Sequence, residues 1–402
     1  MLSLEAARQK IMACFQPLPA QAATVASAAG RFLAEPIVSP VDLPPFDNSA
    51  MDGYAVRAAD AAGAVPDSPV TLKRIGLTAA GEIFKGAVLP GTCVRVFTGS
   101  ALPAESDAVV MQEDTRLDPA RPDHVQLLDA VKPWENVRFR GEDVKRGATV
   151  IEAGQRVNAP RAGLIAALGL DSVLVHARPV VALLATGGEL LEPGQQAQPG
   201  KIFESNRIAL APLLAAAGAV PRTFPIVRDT LAETRQALEA AFENCDAVVT
   251  TGGVSVGELD FVKAAFEQLG GTLDVWNVAI RPGKPFAFGR YSNKFLFGLP
   301  GNPVSAMVTF LLLVRPALLR WQGAAHVELP TQPGTLAEPV SNPGDRRHFM
   351  RMRLDEAGVV WSAGRQGSHL LGSLALASGL VDVPPQTSWP AGTPVTLLRI
   401  ED

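Results

Sequence analysis

The sequence predicts a multidomain α/β plus β protein, in which a mostly parallel, three-layer α/β domain is joined to β-rich regions. The chain has 402 residues, enough for about two to four domains. Strand-like and helix-like runs alternate through residues 178–325, a pattern typical of a parallel sheet with helices on both faces. Short apolar runs bounded by Gly, Pro and Asp fill residues 47–145 and 326–402, which indicates strands and tight turns.

The remaining elements divide the chain further. Residues 1–46 begin with an amphipathic helix, whose apolar residues recur every three or four positions. Residues 146–177 return to a β-like run and a helix, "APRAGLIAAL", with a proline near its first turn. Residues 178–325 hold the alternating strands and helices, and residues 326–402 predict a small β-barrel or sandwich. We therefore place boundaries near residues 46, 145, 177 and 325.

Composition narrows the function classes. The net charge is −4, so no global basic field indicates nucleic acid as a partner. The three cysteines, Cys14, Cys93 and Cys245, form no CxxC pair, which argues against a disulfide framework and fits a reducing compartment. The five histidines show no HxxxH or HExxH spacing. A bound metal is therefore expected to have oxygen ligands, which favours Mg²⁺ over Zn²⁺.

No segment predicts a membrane location. The N-terminal "MLSLEAARQKIMACF" carries charges at Glu5, Arg8 and Lys10, so it is interpreted as an amphipathic helix and not as a signal peptide. The most apolar stretch, Val304–Val314, is too short to cross a bilayer. We expect a cytoplasmic protein.

Three predicted strands end in glycine-rich turns: "ATGGELL" (185–191), "TTGGVSVGELD" (250–260) and "GLPGNPVS" (298–305). In an open parallel sheet, ligands bind beyond the carboxyl ends of the strands, so the three turns should lie at one edge. Glycines let backbone N–H groups approach an anion closely, and a following helix adds partial positive charge. One such turn is explained by chain reversal alone, but three together predict a phosphate-type cradle.

Carboxylates accompany these turns, at Glu189, Asp229, Glu258 and Asp260. Acidic residues are ordinary at helix N-termini, and capping is a sufficient account of Glu258. Capping explains less well why carboxylates converge where an anionic ligand is expected. A Mg²⁺ ion that bridges carboxylate and phosphate would resolve that conflict.

Basic residues form two further candidates. "AIRPGKPFAFG" (279–289) places Arg281 and Lys284 around a Pro-Gly turn, either as a solvated turn or as an oxyanion clamp. "RRHFMRMRL" (346–354) includes Arg351, either on a solvated basic strand face or at the same anion. "RQGSH" (365–369) offers Ser368 as a small donor.

The stretch "LPPFDNSAMDGYAVR" (43–57) packs Asp47, Asn48, Ser49 and Asp52 directly after two prolines. So many polar groups in one turn need partners, which is unusual for a connecting loop. "RVFTGS" (95–100) adds Thr98 at another strand end.

With these motifs the sequence resembles the molybdopterin molybdenumtransferase family, the bacterial MoeA type and the E domain of gephyrin. The motifs "DNSAMDGYAVR", "TGGVSVGELD", "RPGKPFAFG", "GLPGNPVSA" and "QGSH" occur in the family's order and spacing over essentially the whole chain. The resemblance implies an elongated, L-shaped subunit. Residues 1–46 and 146–177 would form one linker and dimerisation domain, with 47–145 inserted as a β-rich domain. Residues 178–325 would be the α/β molybdopterin-binding domain, and 326–402 the C-terminal β-barrel.

The resemblance also implies a reaction. Adenylylated molybdopterin and molybdate are the substrates, Mg²⁺ is required, and molybdenum cofactor and AMP are the products. It implies a homodimer whose active site is shared between subunits, so that the region of Asp52 and Thr98 faces the partner's α/β and C-terminal regions. A molybdopterin adenylyltransferase would be the upstream partner.

Carried onto this sequence, the family's functional positions fall into three groups. The acids and the threonine are Asp52, Thr98, Glu189, Asp229 and Asp260, of which Glu189 and Asp260 are assigned to the metal. The molybdate-binding positions are Arg281, Lys284, Ser305, Arg351 and Ser368. The positions for pterin and phosphate are Gly187, Gly188, Ser205, Gly252, Gly253, Ser255, Gly257, Pro300, Gly301 and Asn302.

Three departures and three alternatives accompany this prediction. Arg281 stands where Lys is frequent, Asn277 where some relatives carry Lys, and Glu204 where Asp is common. A molybdopterin adenylyltransferase would share the α/β domain but would not need residues 43–57 or the final β region. A gephyrin-like scaffold and a tungstate-selective relative are the other two alternatives.

Overall fold

The computed structural model describes residues 1–253 and 261–400. Its chain separates into two compact units. The first comprises residues 1–35, 153–158 and 172–402, and the second residues 36–152 and 159–171. This division is coarser than the four domains expected from the sequence, whose boundaries stay a prediction.

The first unit is built on a mixed sheet of six strands. In spatial order these are Val220–Thr223, Val180–Ala185, Ala247–Thr251, Lys294–Leu299, Ala287–Tyr291 and Thr272–Trp276. The first four strands are parallel to one another, and the last two pair antiparallel. The mostly parallel sheet that the alternating pattern predicted is therefore confirmed.

Helices cover both faces of this sheet because successive strand residues point to opposite sides. On one face Leu183 and Val249 pack with the helices Leu4–Ala13 and Asn206–Ala216. On the other, Leu184 and Val248 pack with the helices Leu231–Asn244 and Phe261–Gln268. Thr230 begins the helix Leu231–Asn244, since its hydroxyl oxygen accepts a hydrogen bond from the backbone N–H of Glu233 at 3.2 Å.

A long apolar helical run closes the α/β part. It consists of Pro303–Thr309, a π-helical turn at Phe310–Val314, and Arg315–Trp321. Pro316, whose nitrogen cannot donate a helical hydrogen bond, lies two residues after the π turn. Pro303–Trp321 is long and apolar enough to cross a membrane by length and composition alone, but 83% of its apolar window is buried inside the fold. It therefore has the environment of a core helix.

The C-terminal part of the first unit is a closed barrel of five strands. In order around the barrel they are Arg347–Leu354, Val359–Ser362, Thr331–Leu336, Pro394–Arg399 and Gly379–Val383, and the last pairs again with the first. The short strand Ile280–Arg281 adds to the barrel in parallel with Arg347–Leu354, so that Arg281 is in register with His348. The predicted small barrel is confirmed.

The first unit is completed by short elements. The helices are Val25–Ala28 and Leu371–Ala375. The paired strands are Ala20–Thr24 with Ser172–His176, Leu190–Leu191 with Ile202–Phe203, and Val340–Asn342 with Thr387–Trp389.

The second unit is β-rich, as the sequence predicted. Its six-stranded sheet has the order Ala108–Met111, Gly53–Val56, Thr92–Val96, Val70–Thr78, Arg121–Leu127 and Thr115–Asp118. Asn48–Ser49 pairs with Val137–Arg138, and Ile37–Val38 pairs with Thr149–Ile151. Its helices are Ala58–Ala61, the 3₁₀ turn Gln112–Asp114, and Ala159–Ala167.

Candidate functional site

The parallel sheet has a topological switch point between the strands Val180–Ala185 and Ala247–Thr251. From the first of these the chain crosses one face to reach Val220–Thr223 on its outer side, and then crosses the other face to return beside it. The crossover helices diverge at such a point, which opens a crevice beyond the carboxyl ends of the strands. The glycine-rich turns at 186–188 and 252–253 begin at this crevice.

A cavity of about 580 Å³ fills the crevice. Turns from three strand ends line it, as the sequence predicted. The predicted residues that line it are Gly187, Glu189, Ser205, Asp229, Gly252, Gly253, Pro300, Gly301, Asn302 and Ser305. Gly188 follows Gly187 and donates its N–H to Asp229 Oδ2 at 2.7 Å. The predicted residues Ser255, Gly257 and Asp260 lie outside the described part of the chain, so their placement stays a prediction.

The glycines at 252 and 253 are required by the backbone. Their φ angles are +85° and +66°, in the left-handed region that favours glycine. A Cβ atom on Gly252 would lie 2.6 Å from the carbonyl oxygen of Thr186, and one on Gly253 would lie 2.9 Å from Thr186 Oγ1. The turns after two neighbouring strands therefore approach each other more closely than any side chain permits.

Three described carboxylates line the cavity, and Glu204 is paired with Arg207, whereas Glu189 and Asp229 come from two other loops. Asp229 is fixed by the hydrogen bond from Gly188, whereas Glu189 is exposed. Among the described residues, no group of three or more His, Cys, Asp and Glu side chains is arranged to hold a metal ion. Any divalent cation here would take the remaining oxygen ligands from a phosphate and from water, as Mg²⁺ commonly does.

The buried side chain of Arg207 forms an ion network beside the part of the cavity wall that residues 204–206 line. Arg207 Nε donates to Glu204 Oε2 at 2.9 Å, and its Nη2 donates to both oxygens of Glu192 at 2.8 Å. Burial opposes the charge of Arg207, but these two carboxylates outweigh burial and raise the pKa of its guanidinium. Between Glu204 and Arg207 lie Ser205 and Asn206, which face the cavity. Ser205 occupies the N-cap position of the helix Asn206–Ala216, but its side chain makes no capping hydrogen bond.

Two side chains tie the neighbouring loops together. Asn206 Nδ2 donates to the carbonyl oxygen of Gly301 at 2.8 Å, and Asn302 Nδ2 donates to Ser368 Oγ at 3.2 Å. The backbone N–H of Val304 also donates to the carbonyl oxygen of Ser368 at 3.2 Å. The "QGSH" segment is thus held against the cavity, although Ser368 itself does not line it.

The predicted oxyanion residues are not all in this cavity. Ser305 lines it, whereas Arg281, Lys284 and Arg351 do not. Arg281 and Lys284 are exposed, but Arg351 is fully buried, so the solvated strand face considered for it is wrong. That interpretation holds for Arg353, which is exposed. Arg351 Nη2 donates to the carbonyl oxygen of Arg365 at 2.9 Å.

In the second unit, Asp52 and Thr98 are direct partners. Both the backbone N–H and the hydroxyl of Thr98 donate to Asp52 Oδ1 at 2.8 Å. These two bonds hold the pKa of Asp52 below its ordinary value, and Arg95 adds a smaller effect of the same sign. An exposed carboxylate with a fixed orientation is suited to binding a cation or a donor.

Most other polar groups of residues 43–57 have structural roles. Asp47 Oδ1 accepts from the backbone N–H of Arg140 at 2.7 Å, and Asn48 Nδ2 donates to the carbonyl oxygen of Phe46 at 3.1 Å. A Cβ atom on Gly53 would lie 1.9 Å from the carbonyl oxygen of Val110, so this strand position requires glycine. Much of the dense motif therefore shapes the loop that presents Asp52.

Three residues of interest were not singled out from the sequence. Thr186 lines the cavity, and its buried hydroxyl has no hydrogen-bond partner among the described residues. His369 also lines the cavity, and it directly follows Ser368. His348 is buried beside Arg281 in the strand register. Thr186 and His369 belong to quoted motifs, so their position in those motifs was an available signal. His348 had none.

Comparison with known families follows the same order along the chain. "MoeA N-terminal region (domain I and II)" matches residues 2–169, "Probable molybdopterin binding domain" matches 182–320, and "MoeA C-terminal region (domain IV)" matches 333–400. The cavity described above lies within the second and third of these matches.

Individual proteins are similar over nearly the whole length. A molybdopterin molybdenumtransferase of Haemophilus influenzae is 39% identical over 377 residues, covering 92% of this chain and 91% of the relative. Molybdopterin molybdenumtransferase 2 of Mycobacterium tuberculosis is 39% identical over 363 residues, covering 89% of each chain. A crystal structure of a molybdopterin biosynthesis MoeA protein from Pyrococcus horikoshii has a TM-score of 0.81 at 32% identity, covering 100% of both chains.

Proposed function

Because the chain belongs to the molybdopterin molybdenumtransferase family, we propose that it inserts molybdate into adenylylated molybdopterin and releases AMP and molybdenum cofactor. It is a transferase of molybdenum cofactor biosynthesis. The observation that carries the proposal is the crevice cavity, where three glycine-rich turns meet the carboxylates of Glu189 and Asp229. That combination suits a ligand that has phosphate groups and needs a cation to cleave them.

The glycine turns would bind the phosphate groups of the substrate. The backbone at Gly253 and Gly301 can approach an anion because no Cβ blocks it, whereas the N–H groups of Gly187 and Gly252 already donate to the carbonyl oxygens of Val227 and Leu299. The unpartnered hydroxyl of Thr186 is a further donor at the same place. In the reaction the oxygen of a water molecule would form a new P–O bond at the phosphoanhydride, the bridging P–O bond would break, the leaving phosphate would keep the bonding electron pair, and the proton of water would pass to solvent.

Magnesium would assist this cleavage by neutralising charge on the phosphate oxygens. Glu189 is our candidate ligand among the described residues, with Asp260 as the second ligand expected from the family resemblance. Asp229 is held by Gly188 and would keep the loop of Glu189 in place. Oxygen ligands of this kind fit Mg²⁺ better than Zn²⁺.

Molybdate would bind at the cationic residues. Molybdate and a pterin phosphate are both anions. Two unit charges of the same sign that are about 4 Å apart repel by about 4 kcal/mol at intermediate dielectric. Arg281, Lys284 and Arg351 would screen this repulsion, with Ser305 and Ser368 as neutral donors. Tungstate has nearly the same shape and charge, so we expect it to compete.

We further propose a homodimer in the cytoplasm, with active sites shared between subunits, so that Asp52 and Thr98 act on substrate held by the partner. Mixing inactive Asp52→Ala chains with inactive Glu189→Ala chains should then restore part of the activity, because some heterodimers regain one intact site. If the chains demonstrably exchange and no activity returns, the shared site is wrong.

The direct test of the reaction uses the purified protein with adenylylated molybdopterin, Mg²⁺ and molybdate, and measures AMP release. Arg351→Ala should raise the molybdate concentration for half-maximal release roughly tenfold to a hundredfold, the effect of one charge-assisted contact. Arg353→Ala is the matched control, because Arg353 lies on the same strand but is exposed. Equal half-saturation in the two variants would exclude Arg351 from the molybdate site.

The same assay separates the alternatives. An adenylyltransferase would consume ATP and molybdopterin and form the adenylylated product, whereas the proposed enzyme consumes that product. The family matches at residues 2–169 and 333–400 favour the proposed enzyme, since an adenylyltransferase would need neither region. A tungstate-selective enzyme would release AMP faster with tungstate, and a scaffold would release none.

A further inference from the structure

His348 is a buried imidazole for which the described residues supply no hydrogen-bond partner. It is 3% exposed, and neither ring nitrogen has a partner among the described residues. A neutral imidazole carries one N–H donor and one acceptor, and buried polar groups of this kind are normally satisfied. Seven buried side-chain atoms in the described part of the chain lack partners, and four of them belong to His348 and Arg351. More than half of these unpartnered atoms therefore belong to these two side chains.

The charges around His348 are positive. Arg281 pairs with it in register across parallel strands, and side chains paired in this way lie on the same side of the sheet. Arg346 precedes it by two residues, and Arg351 follows on the same strand. Burial first, and then Arg281, Arg351 and Arg346, lower the pKa of His348 to about 4. The side chains of Arg351 and His348 leave the strand on opposite faces, so the charge of Arg351 affects the imidazole without direct contact.

In the described part of the chain, the carboxylates near His348 do not neutralise Arg281, Arg346 and Arg351. Asp382, on the neighbouring strand, is ion-paired with Arg347. Asp345 lies 3.7 Å from Arg346, but its side chain is 88% exposed. Among the described residues, no ion pair involves Arg281 or Arg351. A water molecule could form a hydrogen bond with one nitrogen of His348, but it would leave the positive charges uncompensated. An anion would accept a hydrogen bond from His348 and also offset those charges.

We propose that His348 is a further oxyanion-binding residue, which acts beside Arg281 and donates a hydrogen bond to a tetrahedral dianion. The identity of that anion as molybdate rests on the proposed function. A bound dianion offsets the field of the arginines, so the imidazole takes up a proton when the anion binds. Affinity for the anion therefore rises as the pH falls from 8 to 6.

The test measures binding of molybdate, and separately of sulfate, to the full chain by titration calorimetry at pH 8, 7 and 6. Sulfate is included because its own charge does not change in this range. Wild-type affinity should rise with falling pH, by at most tenfold per pH unit for one proton. His348→Leu should weaken binding about tenfold or more at pH 6 and remove the pH dependence. His348→Asn keeps a donor, so it should lose the pH dependence with a smaller loss of affinity.

His326→Asn is the matched control, because His326 is exposed and lies outside this cluster. Thermal unfolding of each variant checks its fold, and the Asn variant decides if the Leu variant does not fold. Wild-type affinity and pH dependence in the His348 variants would overturn the proposal, and so would a wild-type protein that binds neither anion. AMP release tests the proposed function separately. If Arg351→Ala impairs molybdate-dependent release while the His348 variants bind normally, only the role of His348 fails.

Discussion

Removal of Arg207 should destabilise the first unit by several kcal/mol, although Arg207 is not expected to touch the substrate. Its side chain is 4% exposed and is held between Glu204, also buried at 2%, and Glu192, which is 46% exposed. In Arg207→Met, Glu192 can be hydrated, so loss of that pair should contribute less than about 1 kcal/mol. Glu204 would remain as a buried carboxylate without its cation, which typically costs about 3–5 kcal/mol.

The assay is urea unfolding of the purified variant at neutral pH, monitored by a spectroscopic signal that reports on the first unit. Arg235→Met is the matched control, because Arg235 is exposed on the helix Leu231–Asn244 of the same unit, and it should change the free energy of unfolding by less than about 0.5 kcal/mol. The double variant Glu204→Leu/Arg207→Met should recover much of the loss, since no buried charge remains. A loss below about 1 kcal/mol for Arg207→Met, or a double variant less stable than the single, would refute this reasoning.

The network also predicts a functional effect. Ser205 and Asn206 lie between Glu204 and Arg207 and face the cavity. In the absence of urea, and at a temperature where the variant is folded, Arg207→Met should therefore weaken binding of adenylylated molybdopterin more than binding of molybdate. Equal weakening of both ligands would indicate general loss of structure.

Three further outcomes are expected. Gly252→Ala should destabilise the protein and abolish AMP release, since its Cβ would lie 2.6 Å from a carbonyl oxygen. The control is Gly392→Ala, because Gly392 also has a positive φ but has open space around it. That control should lower the free energy of unfolding by only about 1 kcal/mol and leave AMP release intact. Thr98→Val should raise the pKa of Asp52 in an NMR titration. In the wild type this pKa is depressed, so the stabilisation from the pair is present above the ordinary Asp pKa and is lost as the pH falls through the folded value. Glu189→Gln should raise the Mg²⁺ concentration needed for AMP release without changing thermal stability, and an unchanged Mg²⁺ dependence would remove Glu189 as a ligand.

The architecture and the position of the cavity follow from patterns that are visible along the sequence. Alternating strands and helices require a covered parallel sheet, because each element must bury one apolar face. Glycine pairs directly after buried strands, as at Gly252 and Gly253, indicated a ligand edge through rules that act over a few residues. These local signals were enough to bring Glu189 and Asp229 into one predicted site.

The tertiary structure decided the rest, because burial and pairing depend on residues distant in sequence. Arg351 and Arg353 are equivalent by type and lie on one strand, but the barrel buries the first and exposes the second. The strand Ile280–Arg281 joins the barrel in parallel and places Arg281 beside His348, which lies 67 positions later in the sequence. A local pattern contains no information on such a contact, since the charges that surround an imidazole come from whichever strands the closed barrel brings together.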